Sequence, residues 1–134
     1  MIETKTQIRV RYAETDQMGV VYHANYAVYF EVARTDGFRQ IGLPYSQLEA
    51  DGVKLPVVDL HIKYHKSAHY DELLTIVARV REMPVVRLVV DYEIVNEAGE
   101  LLCEGESTLV FMDMKRNRPT RMPEYMRQAM EKYF

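Results

Sequence analysis

The chain has 134 residues, 48% of them hydrophobic and 28% charged, which fits one compact domain of the usual ~50 to 250 residues and leaves no room for a second. With 17 Lys and Arg against 20 Asp and Glu the formal charge is -3, so the basic excess that nucleic-acid backbones attract is missing. Apolar runs such as Val85 to Val90, broken by Arg87, fall far short of the ~20 residues of a membrane span, and Met1 to Thr6 holds no signal-peptide core, so a soluble, cytoplasmic protein is expected.

No Gly/Ser-rich linker, long charge block or internal repeat interrupts residues 1–134, so they are expected to form a single domain. The first regular signal is Gln7-Ile8-Arg9-Val10-Arg11-Tyr12, whose side chains alternate at period 2 and predict a strand buried on one face. After a loop over 13–24, Tyr26, Tyr29, Phe30, Ala33, Gly37 and Ile41 recur at helical spacing and predict the one long helix, Tyr26 to Ile41. Asn25 is placed to cap its first turn, and Gly42 followed by Pro44 supplies a left-handed stop and a breaker. Val28 and Val32 lie off the main stripe, so the first half of this helix reads as apolar nearly all round and wrapped by a sheet. Ala33 and Gly37 would let strands approach closely. Glu31 and Arg34, three apart, fit an ordinary helix ion pair.

Ser46-Gln47-Leu48-Glu49 has the form of a capping box on a short turn that Asp51-Gly52 ends. From there period 2 governs. Val58, Leu60, Ile62 and Tyr64 alternate with Asp59, His61, Lys63 and His65, and Leu74, Ile76, Ala78 and Val80 with Thr75, Val77, Arg79 and Arg81. Val86, Leu88, Val90, Tyr92 and Ile94 mark a further strand, and a last one, Leu101 to Met114, follows the turn Asn96-Glu97-Ala98-Gly99. Short turns of that kind join antiparallel neighbours. Met122, Met126, Ala129, Met130 and Tyr133 share one face of a closing helix, expected to be a lid or an interface element. The fold class is therefore α+β: a curved antiparallel sheet of about five strands wrapped around one long helix.

The segment Asp16-Gln17-Met18-Gly19-Val20-Val21-Tyr22-His23-Ala24-Asn25-Tyr26, with Tyr12 before it and Glu31-Val32-Ala33-Arg34 after it, resembles the signature of hotdog-fold acyl-CoA thioesterases. The subgroup it resembles includes the 4-hydroxybenzoyl-CoA thioesterases and the short stand-alone bacterial acyl-CoA thioesterases. The resemblance extends over nearly the whole chain, and it implies a hotdog fold that hydrolyses an acyl-CoA to a carboxylic acid and free coenzyme A.

Thioester hydrolysis needs an activated nucleophile and donors where charge develops on the carbonyl oxygen, while the thiolate leaving group needs little protonation. Asp16 lies in a glycine-containing loop just before the helix, whose free N–H groups and dipole favour an anion and can polarise a carbonyl. The resemblance implies that Asp16 attacks the carbonyl or activates water, and that the backbone N–H of His23 polarises the thioester oxygen. The His23 ring could orient Asp16, hold water or protonate the leaving sulfur. Gly19 permits a tight turn or a close ligand approach, and Gly19, Val20, Val21, Tyr22, Asn25 and Tyr26 are the expected substrate-binding residues. Glu31, the rival carboxylate on the helix, is read as structural support. Tyr12, Tyr22, Tyr26 and Tyr29 suit an acyl pocket, with Tyr26 and Tyr29 core first.

Basic side chains at Arg87, Lys63, Lys66 and Lys115-Arg116-Asn117-Arg118 are candidates to meet coenzyme A phosphates. Arg87 stands alone where the 4-hydroxybenzoyl type has consecutive arginines. No metal and no cofactor is expected: Cys103 is the lone cysteine, and His61 and His65 have no partner at His-Glu-x-x-His spacing. Two alternatives remain open. A hotdog enoyl-CoA hydratase would resemble Asp-x-Asn-Pro-x-His, whereas no proline stands between Asp16 and His23; a non-catalytic acyl-CoA-binding module would not need an ionisable group at position 16. Apolar Val77, Val89 and Val95 on the outer sheet face point to subunit pairing, and the resemblance implies a dimer or tetramer with its site between protomers. Acyl carrier protein stands beside coenzyme A as the alternative thiol carrier.

Overall fold

The computed structural model describes all residues from Met1 to Phe134. Strand β1 covers Ile2–Arg9, earlier than the predicted Gln7 to Tyr12, and Tyr12–Glu14 forms a 3-10 turn instead. The inward positions of β1 include Thr4 and Thr6, polar residues that mask the period-2 signal. Both are used. Thr6 donates its hydroxyl to Asp36 at 2.8 Å, and Thr4 packs so closely on Gly37 that a Cβ there would lie 2.5 Å from its Oγ1.

Helix α1, Asn25–Gln40, buries Tyr26, Tyr29, Phe30, Ala33, Gly37 and Phe38, close to the predicted stripe, and Gly42 takes the left-handed conformation at φ 82° that ends it. Asn25 does not cap it. Ala24 occupies the cap position without a side-chain bond, and the Asn25 amide donates to the Glu14 carbonyl at 2.9 Å. Nor is the helix wrapped all round, since Val28 and Val32 stay 45% and 42% exposed. The expected Glu31–Arg34 pair is absent. Arg34 turns toward the sheet and donates to the Tyr92 hydroxyl at 3.2 Å, leaving its Nε buried without a partner, while Glu31 remains exposed. Helix α2, Tyr45–Ala50, starts behind Pro44, so Ser46 lies inside its first turn and the predicted capping box does not form.

The main sheet is antiparallel in the order β1-β4-β5-β6-β3, with β3 at Val57–Tyr64, β4 at Leu73–Val80, β5 at Arg87–Val95 and β6 at Leu101–Val110. The predicted last strand breaks at Phe111, which is fully buried and donates its N–H to Val86. Beyond it, β7 (Met112–Asp113) joins β2 (Val53–Lys54) and β8 (Arg118–Pro119) in a small second sheet. Helix α3, Glu124–Glu131, sets Met126 and Met130 into the same core as Ile2 and is no lid. Phe30 stacks on Tyr92 with ring centroids 4.3 Å apart, and Gly105 of β6 leaves room for it. Cys103, fully buried on β6, has its thiol pushed up to about 12 by burial.

The outer sheet face is charged rather than apolar. One row in register, Glu3, Arg79, Asp91, Glu106 and His61, crosses all five strands. The next sets Val77 between Lys5 and Glu93, and Val77 is only 8% exposed; Val95 is half-buried, so of the expected outer patch only Val89 stands out. Exposed apolar surface lies instead on β3. Its inner-face residues Val57, Leu60 and Tyr64 are 46%, 43% and 48% exposed, and its outer edge has no strand beside it.

Candidate functional site

The loop between β1 and α1 is a tight turn on a laced stem. Asp16 donates its N–H to Val20 at 2.9 Å, Gly19 returns its own to Asp16 at 3.0 Å, and a bridge joins Thr15 to Val21. Gly19 sits at φ 79°, a conformation that favours glycine over any side chain. One Asp16 oxygen, Oδ1, accepts the Met18 N–H at 2.9 Å; the other bonds nothing in the chain, and the residue is half-buried. Asp16 thus has one fixed oxygen and one free. On its far side the loop is tied to the segment before β4: Val21 donates to the Ala68 carbonyl at 2.9 Å, and Val20 bridges to His69.

The chain then enters α1. Tyr22 donates to the Glu14 carbonyl and Asn25 to the Tyr22 carbonyl, each at 2.9 Å, while the N–H groups of His23 and Ala24 bond nothing in the chain. Those free donors at the helix start are suited to a developing oxyanion. The Tyr64 hydroxyl donates to the His23 carbonyl at 3.0 Å, and the exposed His23 ring leans on Tyr22 with centroids 4.5 Å apart.

Asp16, Gly19, Val20, Val21, Tyr22, His23, Asn25 and Tyr26 therefore come together, but not in the same capacity. Val21 and Tyr26 are 3% exposed, and the Tyr26 hydroxyl accepts the Ala68 N–H at 3.1 Å, so both brace the loop from the core. The tyrosines divide likewise: Tyr26 and Tyr29 are buried, Tyr12 and Tyr22 exposed. Arg87 is not nearby. It begins β5 opposite Val110, whereas Tyr64, whose hydroxyl bonds the His23 carbonyl, pairs with Cys103, which faces Ile94 about 25 Å along β5 from Arg87 at the usual rise per strand residue. The 115–118 turn hangs beyond Val110 at that same far end. The largest open groove, about 1150 Å³ between α1 and the β1 edge, is bordered by Glu31, Asp36 and Arg39 and by none of the loop residues. Only two of its ten bordering residues are apolar, a poor lining for an acyl group.

Glu14 is a further residue of the site, one that no sequence motif marks. It is 9% exposed, and its carboxylate accepts from the Arg11 N–H at 2.8 Å, the Arg11 guanidinium at 2.9 Å and the Tyr29 hydroxyl at 3.0 Å. Burial pushes this carboxyl up, but the donors on Arg11 and Tyr29 outweigh it and hold the group below the usual carboxylate range. Tyr29 is pushed up by its burial and by Glu14. The only hint in sequence is Arg11 three residues before Glu14.

Residues 10–130 match the model of the thioesterase-like superfamily. YneP of Bacillus subtilis is 43% identical over 116 residues, covering 87% of this chain and 84% of that protein. The acyl-CoA thioester hydrolase YbgC of Escherichia coli is 34% identical over 117 residues, 87% of each. Among solved structures, the DHNA-CoA thioesterase of Staphylococcus aureus superposes with a TM-score of 0.93 at 40% identity, covering 99% of this chain and 91% of that one.

Proposed function

The chain belongs to the thioesterase-like superfamily, with a hotdog fold, and is a thioester hydrolase; on that premise we propose that it releases a carboxylic acid and free coenzyme A from an acyl-CoA at the Asp16 loop. The observation that carries this reading is the pairing, in one braced loop, of a carboxylate oxygen without a partner and the unbonded N–H of His23. The thioester carbonyl oxygen lies on that N–H. Asp16 either takes a proton from an attacking water or adds to the carbon itself; the tetrahedral oxyanion collapses, the C–S bond breaks and the thiolate leaves. In the second route water then cleaves the anhydride. The His23 ring orients water or protonates the sulfur, Gly19, Val20 and Tyr22 border the acyl group, and Val21, Asn25 and Tyr26 hold that border in place. Residues 1–134 act as a single domain in the cytoplasm.

The working unit is a homodimer seated on β3, whose free edge and half-exposed Val57, Leu60 and Tyr64 supply the apolar surface that the charged outer face lacks. Two such edges paired antiparallel bring the Arg87 end of one sheet beside the Asp16 end of the other. Arg87 of the partner subunit, with its 115–118 turn, then meets the coenzyme A phosphates that no Arg87 in the same chain can reach. Pairing of dimers gives a tetramer. No helix is long and apolar enough to cross a membrane.

Thiol release from a panel of acyl-CoA esters and one acyl carrier protein thioester is the test, with DHNA-CoA included because the Staphylococcus aureus relative is named for it. Asp16→Asn keeps the size and loses the charge, so turnover should fall to background with fold and binding intact, while Glu31→Gln should stay close to wild type. Retained turnover in Asp16→Asn, or a larger loss in Glu31→Gln, would refute the assignment. Hydration of an enoyl-CoA without thiol release would favour the hydratase, and tight binding without turnover the binding module.

A further inference from the structure

We propose that Glu14, acting with Tyr29 of α1, is the positioning residue that fixes the Asp16 loop against the start of the helix; this rests on the reading of Asp16 as the reacting carboxylate. Four donors converge on the Glu14 side chain. Oε1 accepts the Arg11 N–H at 2.8 Å and the Tyr29 hydroxyl at 3.0 Å, and Oε2 accepts the Arg11 Nε at 3.2 Å and Nη2 at 2.9 Å. Its main-chain carbonyl takes two more, from the Tyr22 N–H and the Asn25 amide, both at 2.9 Å. One residue thereby joins the exit of β1, the return of the loop and two successive turns of α1.

The two groups that matter sit directly beside these ties. Asp16 is two residues beyond Glu14, and the His23 N–H lies between the two residues that bind its carbonyl. A side chain so fully engaged has no room for a water proton, so Glu14 is not a second base. Placement is what remains. The Tyr29 hydroxyl comes from the buried face of α1, so loop and helix move together. Tyr29 also meets Tyr26 edge to face at 6.0 Å, and Tyr26 accepts the N–H of Ala68, whose carbonyl holds Val21. The loop is thus braced on both sides from one pair of neighbouring helix residues.

A displaced reacting group slows chemistry more than it weakens binding, and a misplacement near 1 Å costs about 100-fold. Glu14→Gln, assayed as purified full-length protein beside Asp16→Asn, should lower kcat by about 10- to 100-fold with KM within about twofold, at a temperature where unfolding melts show both variants folded. Tyr29→Phe, which removes only the tie to the helix, should lower kcat less. The double variant should lose no more than Glu14→Gln alone, because the pair acts as one unit. Wild-type kcat in Glu14→Gln beside an inactive Asp16→Asn overturns the positioning role and leaves the catalytic reading standing. Full activity in Asp16→Asn overturns both. A kcat loss that follows only the unfolded fraction, or fully independent effects of the two substitutions, also overturns it. If Glu14→Gln does not fold, Tyr29→Phe decides alone, and unchanged kcat there is fatal to the proposal.

Discussion

Gly105 leaves no room for a side chain, and replacing it tests the packing behind the site. A Cβ built there would lie 2.6 Å from the His61 carbonyl oxygen on β3, 2.6 Å from Phe30 Cε2 and 2.9 Å from Phe30 Cζ. Ordinary contact between carbon atoms needs ~3.5 to 4.0 Å, so the Phe30 ring must retreat by roughly 1 Å. It has nowhere to go, since Phe30 and Tyr92 are each 1% exposed and their rings are already stacked at 8°. Forcing extra volume into such a core costs about 1–3 kcal/mol, and the stiffer unfolded chain of Ala returns about 0.4–1 kcal/mol. The His61 oxygen belongs to the main chain and cannot step aside, which puts the cost in the upper half of that range, about 2–3 kcal/mol, so Gly105→Ala should destabilise by about 1–2.5 kcal/mol, a fall in Tm of roughly 3 to 10 °C for a chain of this length. Thermal melts at one fixed protein concentration measure it, because self-association shifts Tm. Phe30→Leu removes the obstructing ring atoms, so Gly105→Ala should cost less in that background. An unchanged Tm in the single variant, or strict additivity in the double, would refute the argument.

Two further expectations concern charge. Partial desolvation and the facing Asp91 carboxylate raise the Glu106 carboxyl above its usual range, so its ionised form weakens the fold. A raised carboxyl penalises the native state above its folded pKa and costs nothing below its unfolded one; Glu106→Gln should thus raise Tm at neutral pH, with the gain fading as pH falls through the raised pKa, read from melts over a pH series. Neutralising Arg87, or Lys115, Arg116 and Arg118 together, should raise KM for an acyl-CoA with little change in kcat and blunt the effect of added salt. A truncated thioester without the nucleotide should not respond, and equal losses on both substrates would show that these cations only support structure.

Where side chains bury by pattern, the sequence was legible: α1 and strands β4 and β5 carry unbroken apolar periodicity. It failed at β1, where Thr4 and Thr6 take inward positions for the sake of Asp36 and Gly37. On β3 the pattern was correct but its meaning was not, because Leu60 and Tyr64 face inward on a strand with a free edge and stay half-exposed, even though Tyr64 meets Tyr26 of α1 edge to face at 5.4 Å. Glu31 and Arg34 have pairing distance in sequence, yet Arg34 finds Tyr92, fifty-eight positions away. The contiguous motif could be read as a string. Glu14 could not, since its burial depends on Tyr29 fifteen residues later and its one local hint, Arg11 three residues before it, reads as an ordinary ion pair.

Cys103 bears on how such an enzyme is measured. Thiol reagents react with thiolate, and a buried thiol pushed up to about 12 exposes on the order of one part in ten thousand of that form at pH 8, before access is even considered. Colour developed during turnover therefore comes from released product rather than from the protein. Once the chain unfolds, its single cysteine joins the signal at one equivalent per subunit. The same cuvette that records hydrolysis thus also registers, as a stoichiometric step, any variant whose fold has been lost.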